Sequence, residues 1–224
     1  MEAIWTIIPV IVLAGLILYG LYTWIDITTI EENEDDIVIE LYAQQFNWTA
    51  RYAGDDNVLG DASVRLIDIN RANVLGLDEA DPNAADDVIT KELHLPKGRN
   101  IVFKMRSQDV LHSAYMPHFR AQMNCVPGMI TEFSFKPTVT TEEMRLRPEI
   151  IEHVKRTNEI RAERAANDEP NSEPWEFDYV LLCNKICGKS HYNMQMKIIV
   201  EEEKDYNKWL AEQKTFAESV LPQE

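Results

Sequence analysis

Residues 4 to 25, IWTIIPVIVLAGLILYGLYTWI, run for 22 positions without a charge. As an α-helix this run is about 33 Å long, enough to cross the ~30 Å hydrocarbon core of a bilayer. Trp5 near one end and Tyr22 and Trp24 near the other stand where amphipathic rings favour the headgroup level. Pro9 falls in an early turn, where a missing amide hydrogen bond does least harm. A signal peptide fits less well: the run lacks a basic n-region, exceeds the length of an h-region, and has no small-residue cleavage site after it. The reading is a retained transmembrane helix over residues 1–28. Neither flank has Lys or Arg nearby, so positive-inside asymmetry assigns no side. The dense acidic stretch DITTIEENEDD follows, with residues 29–36 as a linker.

The rest of the chain has to form its own core, and composition permits one: 45% of the 224 residues are apolar. The formal net charge of -16 argues against a nucleic-acid partner, because phosphate backbones are held by Lys and Arg clusters that are missing here. Net charge alone suits a basic protein partner better.

From residue 37 the pattern is that of β-structure. IVIELYAQQFNWTARY is rich in β-branched and aromatic residues and alternates as a half-buried strand does. The Gly, Asp, Asn and Pro clusters around residues 54–62 and 75–87 then break the strands. VITKELHLPKGRNIVFKMRS reads as two strands around a Pro-Lys-Gly-Arg turn, and FDYVLLC, MITEFSFKP and MKIIVEEE supply further strands. Residues 140–174, by contrast, are good helix formers with mixed charges bracketed by Pro148, Pro170 and Pro174, a helical insertion with a solvated surface. Tyr206, Trp209, Leu210 and Phe216 recur near helical spacing, so residues 205–224 are expected as an amphipathic helix ending near Pro222. The fold class is all-β, a sandwich or Greek-key barrel over residues 37–204.

The chemistry concentrates in CNKICGKSHYNM, residues 183–194. Thiolates and imidazole together select copper, zinc or iron, and a thioether such as Met194 points away from zinc and towards copper. Cys183 and Cys187 also allow a disulfide, which leaves His191 and Met194 unexplained. Two thiolates at this spacing can bridge two ions, and a dinuclear centre needs a second imidazole. Of His94, His112, His118 and His153, His112 lies between a strand and a turn, where a barrel presents ligands at its rim. His118 and Cys125 read as a packed ring and a buried thiol, His153 as exposed, Asp109 as a hydrogen-bond partner near the ligand loop, and Trp48 as core.

DVLHSAYMPHF and NCVPGM, followed by the Cys-x3-Cys-x3-His-x2-Met loop, resemble subunit II of the heme-copper cytochrome c oxidases. The opening EAIWTIIPVIVL resembles the second transmembrane helix of that family's hairpin, and AQQFNWTARY resembles its aromatic first strand. The motifs stand in family order and cover most of the chain outside 140–174. The resemblance implies a cupredoxin-like domain on the periplasmic side of a bacterial inner membrane, holding two copper ions in a CuA centre. Cys183 and Cys187 would bridge both coppers. His112 and Met194 would complete one, and His191 with the backbone carbonyl of Lys185 the other. The implied role is the electron-input subunit: it takes electrons from a c-type cytochrome and passes them to heme and copper in subunit I, among other oxidase subunits, where O₂ is reduced to water.

Two departures from the family pattern bear on partners. Lys185 stands where the family usually has Glu, which removes the carboxylate contact to Mg²⁺, so no magnesium is expected. The family's electron-accepting Trp corresponds to Phe46, two residues before Trp48, which makes these two aromatics the candidates for electron input. A membrane-tethered copper-binding or delivery module without an oxidase partner is the alternative function, and the quinol-oxidase branch is disfavoured by the copper ligands themselves.

Overall fold

The computed structural model describes residues 2–30, 33, 35–71, 73–167, 169–170 and 172–220. Contacts divide the chain into two units, Met1–Glu34 and Asp35–Glu224. The first is helix α1 (Glu2–Thr28). Its stretch Ala3–Thr28 is long and apolar enough to cross a membrane. The Thr23 and Thr28 hydroxyls donate to the carbonyls of Tyr19 and Trp24, at 3.0 and 2.8 Å. These two hydroxyls are thereby satisfied without water. Residues 31, 32 and 34 of the acidic linker lie outside the described residues.

The second unit is a sandwich of two five-stranded sheets, the all-β cupredoxin-like class expected from sequence. One sheet has the order β3 (Val88–Thr90), β2 (Asn47–Tyr52), β1 (Ile37–Gln44), β5 (Ile101–Ser107), β8 (Thr131–Phe135). The other runs β4 (Leu93–Pro96), β10 (Gln195–Glu201), β9 (Tyr179–Cys183), β6 (His112–Met116), β7 (Ala121–Cys125). Both sheets are mixed, because β1 pairs with β5, and β10 with β4, in parallel. The sequence expectation of two strands around Pro96–Arg99 is met differently: β3, β4 and β5 are three strands, and the turn carries the chain from one sheet to the other. Gly98 takes φ 81° there, a conformation that costs glycine little.

Alternation decides what is buried. Ile39, Leu41, Ala43, Trp48, Ala50 and Tyr52 face the inside of the sandwich, joined by Phe103, Met105, Leu181 and Ile198 in one continuous core. The opposite face of the first sheet carries Tyr42, Glu40 and Arg51, and the long excursion between β2 and β3 covers it. Tyr42 packs with Leu75, Leu77, Ala84 and Phe216 in a second, smaller core. Beneath it Arg51 reaches Glu40 and Asp87, both at 2.9 Å, with all three buried.

The helical insertion comprises α2 (Thr141–Arg145), opened by a Thr140–Glu143 capping box, and α3 (Pro148–Ala166). Asn158 ties α3 to the returning chain through two bonds to Trp175. Residues 168 and 171 of this segment lie outside the described residues. At the C-terminus the single helix anticipated over 205–224 is two, α4 (Glu203–Ala211) and α5 (Phe216–Val220). Trp209 of α4 stacks on the His94 ring, centroids 3.8 Å apart, whereas Phe216 belongs to the second core. The near-helical spacing of these residues therefore spans a break, and Pro222 lies outside the described residues.

Replacing Arg51 with Leu strands Asp87 as a buried carboxylate and takes one cationic partner from Glu40, so the variant is expected to lose about 3–5 kcal/mol. Urea unfolding of the full chain measures the loss. A change below about 0.5 kcal/mol would mean the buried ion pairs contribute nothing net.

Candidate metal centre

Backbone register gathers the soft ligands. Strand β9 ends at Cys183, β6 begins at His112, and β10 begins one residue after Met194. In the β6–β9 pairing Ala114 lies opposite Cys183. The Cys183 amide donates to the Met194 carbonyl at 3.1 Å, and the Asn184 amide to the Ser113 carbonyl at 3.0 Å. Three neighbouring strands thus deliver His112, Cys183 and Met194 to one end of one sheet. Loop 184–193 closes over that end. Gly188, at φ 145°, turns it, and a 3₁₀ turn at His191–Asn193 brings His191 back towards the sulfurs.

The donor atoms converge. Cys183 Sγ and Cys187 Sγ are 3.8 Å apart. Around Cys183 Sγ stand His112 Nδ1 at 3.8 Å and the Lys185 carbonyl oxygen at 3.2 Å. Around Cys187 Sγ stand His191 Nδ1 at 3.6 Å and Met194 Sδ at 3.8 Å. Donors bound to one tetrahedral ion at about 2.0–2.3 Å lie roughly 3.3–3.8 Å from each other, so the set fits soft-metal ligation. The ligand atoms of His112, Cys183 and Cys187 lie within 4.8 Å of one another, and all three residues are buried. All three cysteines are free thiols, and the sulfur separation is well beyond the ~2.05 Å of a disulfide.

Neighbouring groups fix this geometry. Asp109 Oδ1 accepts from His112 Nε2 at 2.8 Å, which leaves Nδ1 directed at Cys183. Burial opposes ionisation of Asp109, but the Gln45 amide, His112 and the Val110 amide outweigh it, and the carboxyl is held below its usual range. The Trp48 indole N–H points at the Met194 carbonyl at 3.4 Å, and its ring meets His112 edge-on at 6.2 Å. Burial, and then the adjoining Cys183 thiol, push the Cys187 thiol up to about 11. A metal at the Cys187 sulfur therefore has to displace a firmly held proton.

The structure brings together His112, Cys183, the Lys185 carbonyl, Cys187, His191 and Met194. The two aromatics separate. Trp48 is 1% exposed, beneath the site, while Phe46 is half-buried at the rim, against Gly188. A side chain at position 188 would come within 2.9 Å of the Phe46 ring. Cys125 is fully buried, with burial first among the causes that push its thiol up to about 12. His118 packs edge-on against Phe177 and Tyr179, and His153 is exposed beside Trp175.

Sequence reasoning missed Gln45, whose side-chain amide donates to the Cys187 carbonyl at 2.5 Å. It lies 142 residues away in the β1–β2 turn, and nothing local to it signals the contact. Its backbone amide also donates to Asp109 Oδ2 at 2.7 Å, so one turn braces both the ligand loop and the His112 partner.

No family model matches the chain. It is 35% identical over 206 residues to the alternative cytochrome c oxidase subunit 2 of Bradyrhizobium diazoefficiens, across 91% of this chain and 60% of the relative. To cytochrome c oxidase subunit 2 of Cereibacter sphaeroides it is 22% identical over 245 residues, across 99% and 64%. The chain thus spans about 60% of the length of these curated relatives. Among solved structures it is similar to the periplasmic domain of subunit II of cytochrome oxidase from Bradyrhizobium japonicum. That match has 19% identity, 82% and 95% coverage, and a TM-score of 0.46.

In the metal-free reduced chain Cys183 and Cys187 are expected to alkylate before Cys125, which reacts only on unfolding, and bound metal is expected to protect the pair. Peptide mass spectrometry after timed alkylation reads the order. Modification of Cys125 first would contradict the burial described above.

Proposed function

From a chain homologous to cytochrome c oxidase subunit 2, with six donor atoms gathered at one end of its sandwich, we propose the electron-input subunit of a membrane oxidase. It takes electrons singly from a c-type cytochrome and passes them to the heme and copper centres of subunit I, where O₂ is reduced to water. The observation that carries this reading is the pair of thiols 3.8 Å apart, each with its own imidazole within 3.8 Å. Helix α1 supports attachment to a membrane; a bacterial inner membrane with the sandwich on the periplasmic side belongs to the proposed reading.

The donor set fits two copper ions. Cys183 and Cys187 would hold both, His112 and Met194 would complete one, and His191 with the Lys185 carbonyl would complete the other. When bound, such a pair supplies a one-electron carrier with the electron shared between two metals. The protein's own contribution is rigidity. Four of the five side-chain ligands sit at strand ends or in the buried floor of the loop, and Asp109, Gln45 and Trp48 bond to them or to their backbone. Ligands that cannot move keep the energy of reorganisation small. Phe46 and Trp48 differ in what they can do: the rim position of Phe46 suits contact with a donor, while Trp48 buttresses His112.

The copper-loaded chain is expected to bind two coppers and to show an EPR hyperfine pattern from one electron shared by two equivalent nuclei. Cys187→Ser should abolish that pattern. One copper per chain, or a mononuclear signal that survives in the variant, would overturn the dinuclear reading. Purification from membranes in mild detergent should bring a heme-bearing subunit along; a copper-loaded chain that always comes alone would favour copper delivery instead.

A further inference from the structure

Acids outnumber Lys and Arg by 38 to 22 in this chain, so a cation without an acid is not unpaired for want of one. Arg51, Lys97, Arg106 and Arg145 each hold at least one carboxylate. Arg120, Lys136 and Arg147 hold none, and their side chains donate no hydrogen bond among the described residues.

These three surround one hollow of about 300 Å³. Arg120 ends a 3₁₀ turn (Pro117–Phe119), Lys136 follows β8, and Arg147 is the residue before α3. Phe119, Phe135 and Tyr179 form an apolar wall, with the Phe119 ring centroid 4.8 Å from that of Phe135 and 4.7 Å from that of Tyr179. Among the described residues no Asp or Glu lines the hollow. Glu143 is engaged by Lys97 and the Thr140 amide, and Asp178 by Arg145 and Lys197. Glu142 and Glu149 are exposed and stand outside the lining.

The hollow is remote from the metal ligands. Strand β6 begins at His112 and ends just before the 3₁₀ turn, while β9 begins at Tyr179 and ends at Cys183. The three cations therefore gather at the opposite end of the sandwich.

The backbone adds a second, independent sign. Arg120 is left-handed, at φ 54° and ψ 29°. Elsewhere in this chain such turns use glycine, as at Gly98 and Gly128 with φ 81° and 80°, because glycine has no Cβ to clash. An arginine held there is strained, and strain of this kind clusters at ligand sites. Here it sets a guanidinium on the wall of the hollow.

We propose that this hollow binds a small phosphate monoester. A planar carboxylate is satisfied by one guanidinium, whereas a phosphate offers three oxygens and roughly two negative charges, which suits cations arriving from three separate elements. The aromatic wall receives the organic group that the phosphate carries, and the volume is that of a small ligand pocket. Inorganic phosphate and a phosphatidic acid headgroup share this chemistry.

The test is isothermal titration calorimetry on the full copper-loaded chain in zwitterionic nanodiscs, at constant ionic strength, with phenyl phosphate, inorganic phosphate and chloride. Phenyl phosphate is expected to bind one site per chain, several-fold tighter than inorganic phosphate, and chloride to show no saturation. Arg120→Gly removes the cation while relieving the backbone, so its urea midpoint should not fall. That variant, Lys136→Gln and Arg147→Gln should each weaken phenyl phosphate at least about tenfold. Lys155→Gln, at an exposed position of α3 outside the hollow, should leave binding unchanged. Inorganic phosphate that binds as tightly as phenyl phosphate supports the site with the free ion as occupant. Phosphatidic acid in the nanodisc that blocks phenyl phosphate supports it with the headgroup as occupant. Phosphate binding no tighter than that of chloride, or weakened as much by Lys155→Gln as by the three variants, overturns the proposal. Absence of phosphate binding together with loss of a co-purifying subunit in Arg120→Gly assigns the cations to a protein acid and likewise overturns it.

Discussion

The pairing of β6 with β9, continued by the hydrogen bond from the Cys183 amide to the Met194 carbonyl, is the constraint on which the site depends. Side chains alternate with a period of two, so a slip of one residue would send Cys183 to the opposite face and separate it from His112. The core guards against such a slip. Leu181 and Cys183 are buried on one face of β9, and Ala114 and Met116 on the same side of β6. Hydrophobic burial, not metal binding, therefore sets the register, and the ligands are placed by the same interaction that folds the sandwich.

A second layer of order comes from the β1–β2 turn. Gln45 reaches the ligand loop from the other sheet, and its backbone amide shares Asp109 with His112. The two sheets are thus cross-linked at the metal end by hydrogen bonds to a charged acceptor, which are among the stronger kind. Phe46 fills the space above Gly188, so the loop that carries Cys187 and His191 is held from above as well as below.

Charge placement shows how far composition can mislead. A net charge of -16 describes the whole chain, yet the loops at the end that carries the donors hold two exposed lysines and one exposed acid, Asp109, whose carboxylate is bonded to His112. The excursion that covers the outer sheet face carries nine acids and the far end of β10 three more. Long-range steering by the whole molecule and short-range contact at the rim are consequently separate properties.

Local patterns determined a great deal here. An uncharged run long enough for a membrane helix, alternation in the strands, and the spacing of two cysteines, a histidine and a methionine each depend on near neighbours, so they are legible in one dimension. His112 was legible through the residues around it, not through its distance from the cysteines. The tertiary structure decided the rest: that Gln45 braces the loop, that Trp48 is buried while Phe46 lies at the rim, and that Phe216 leaves the helix of Trp209 for another core. Each of these follows from how strands cross between two sheets, and contacts between residues more than a hundred positions apart leave no periodic trace in a sequence.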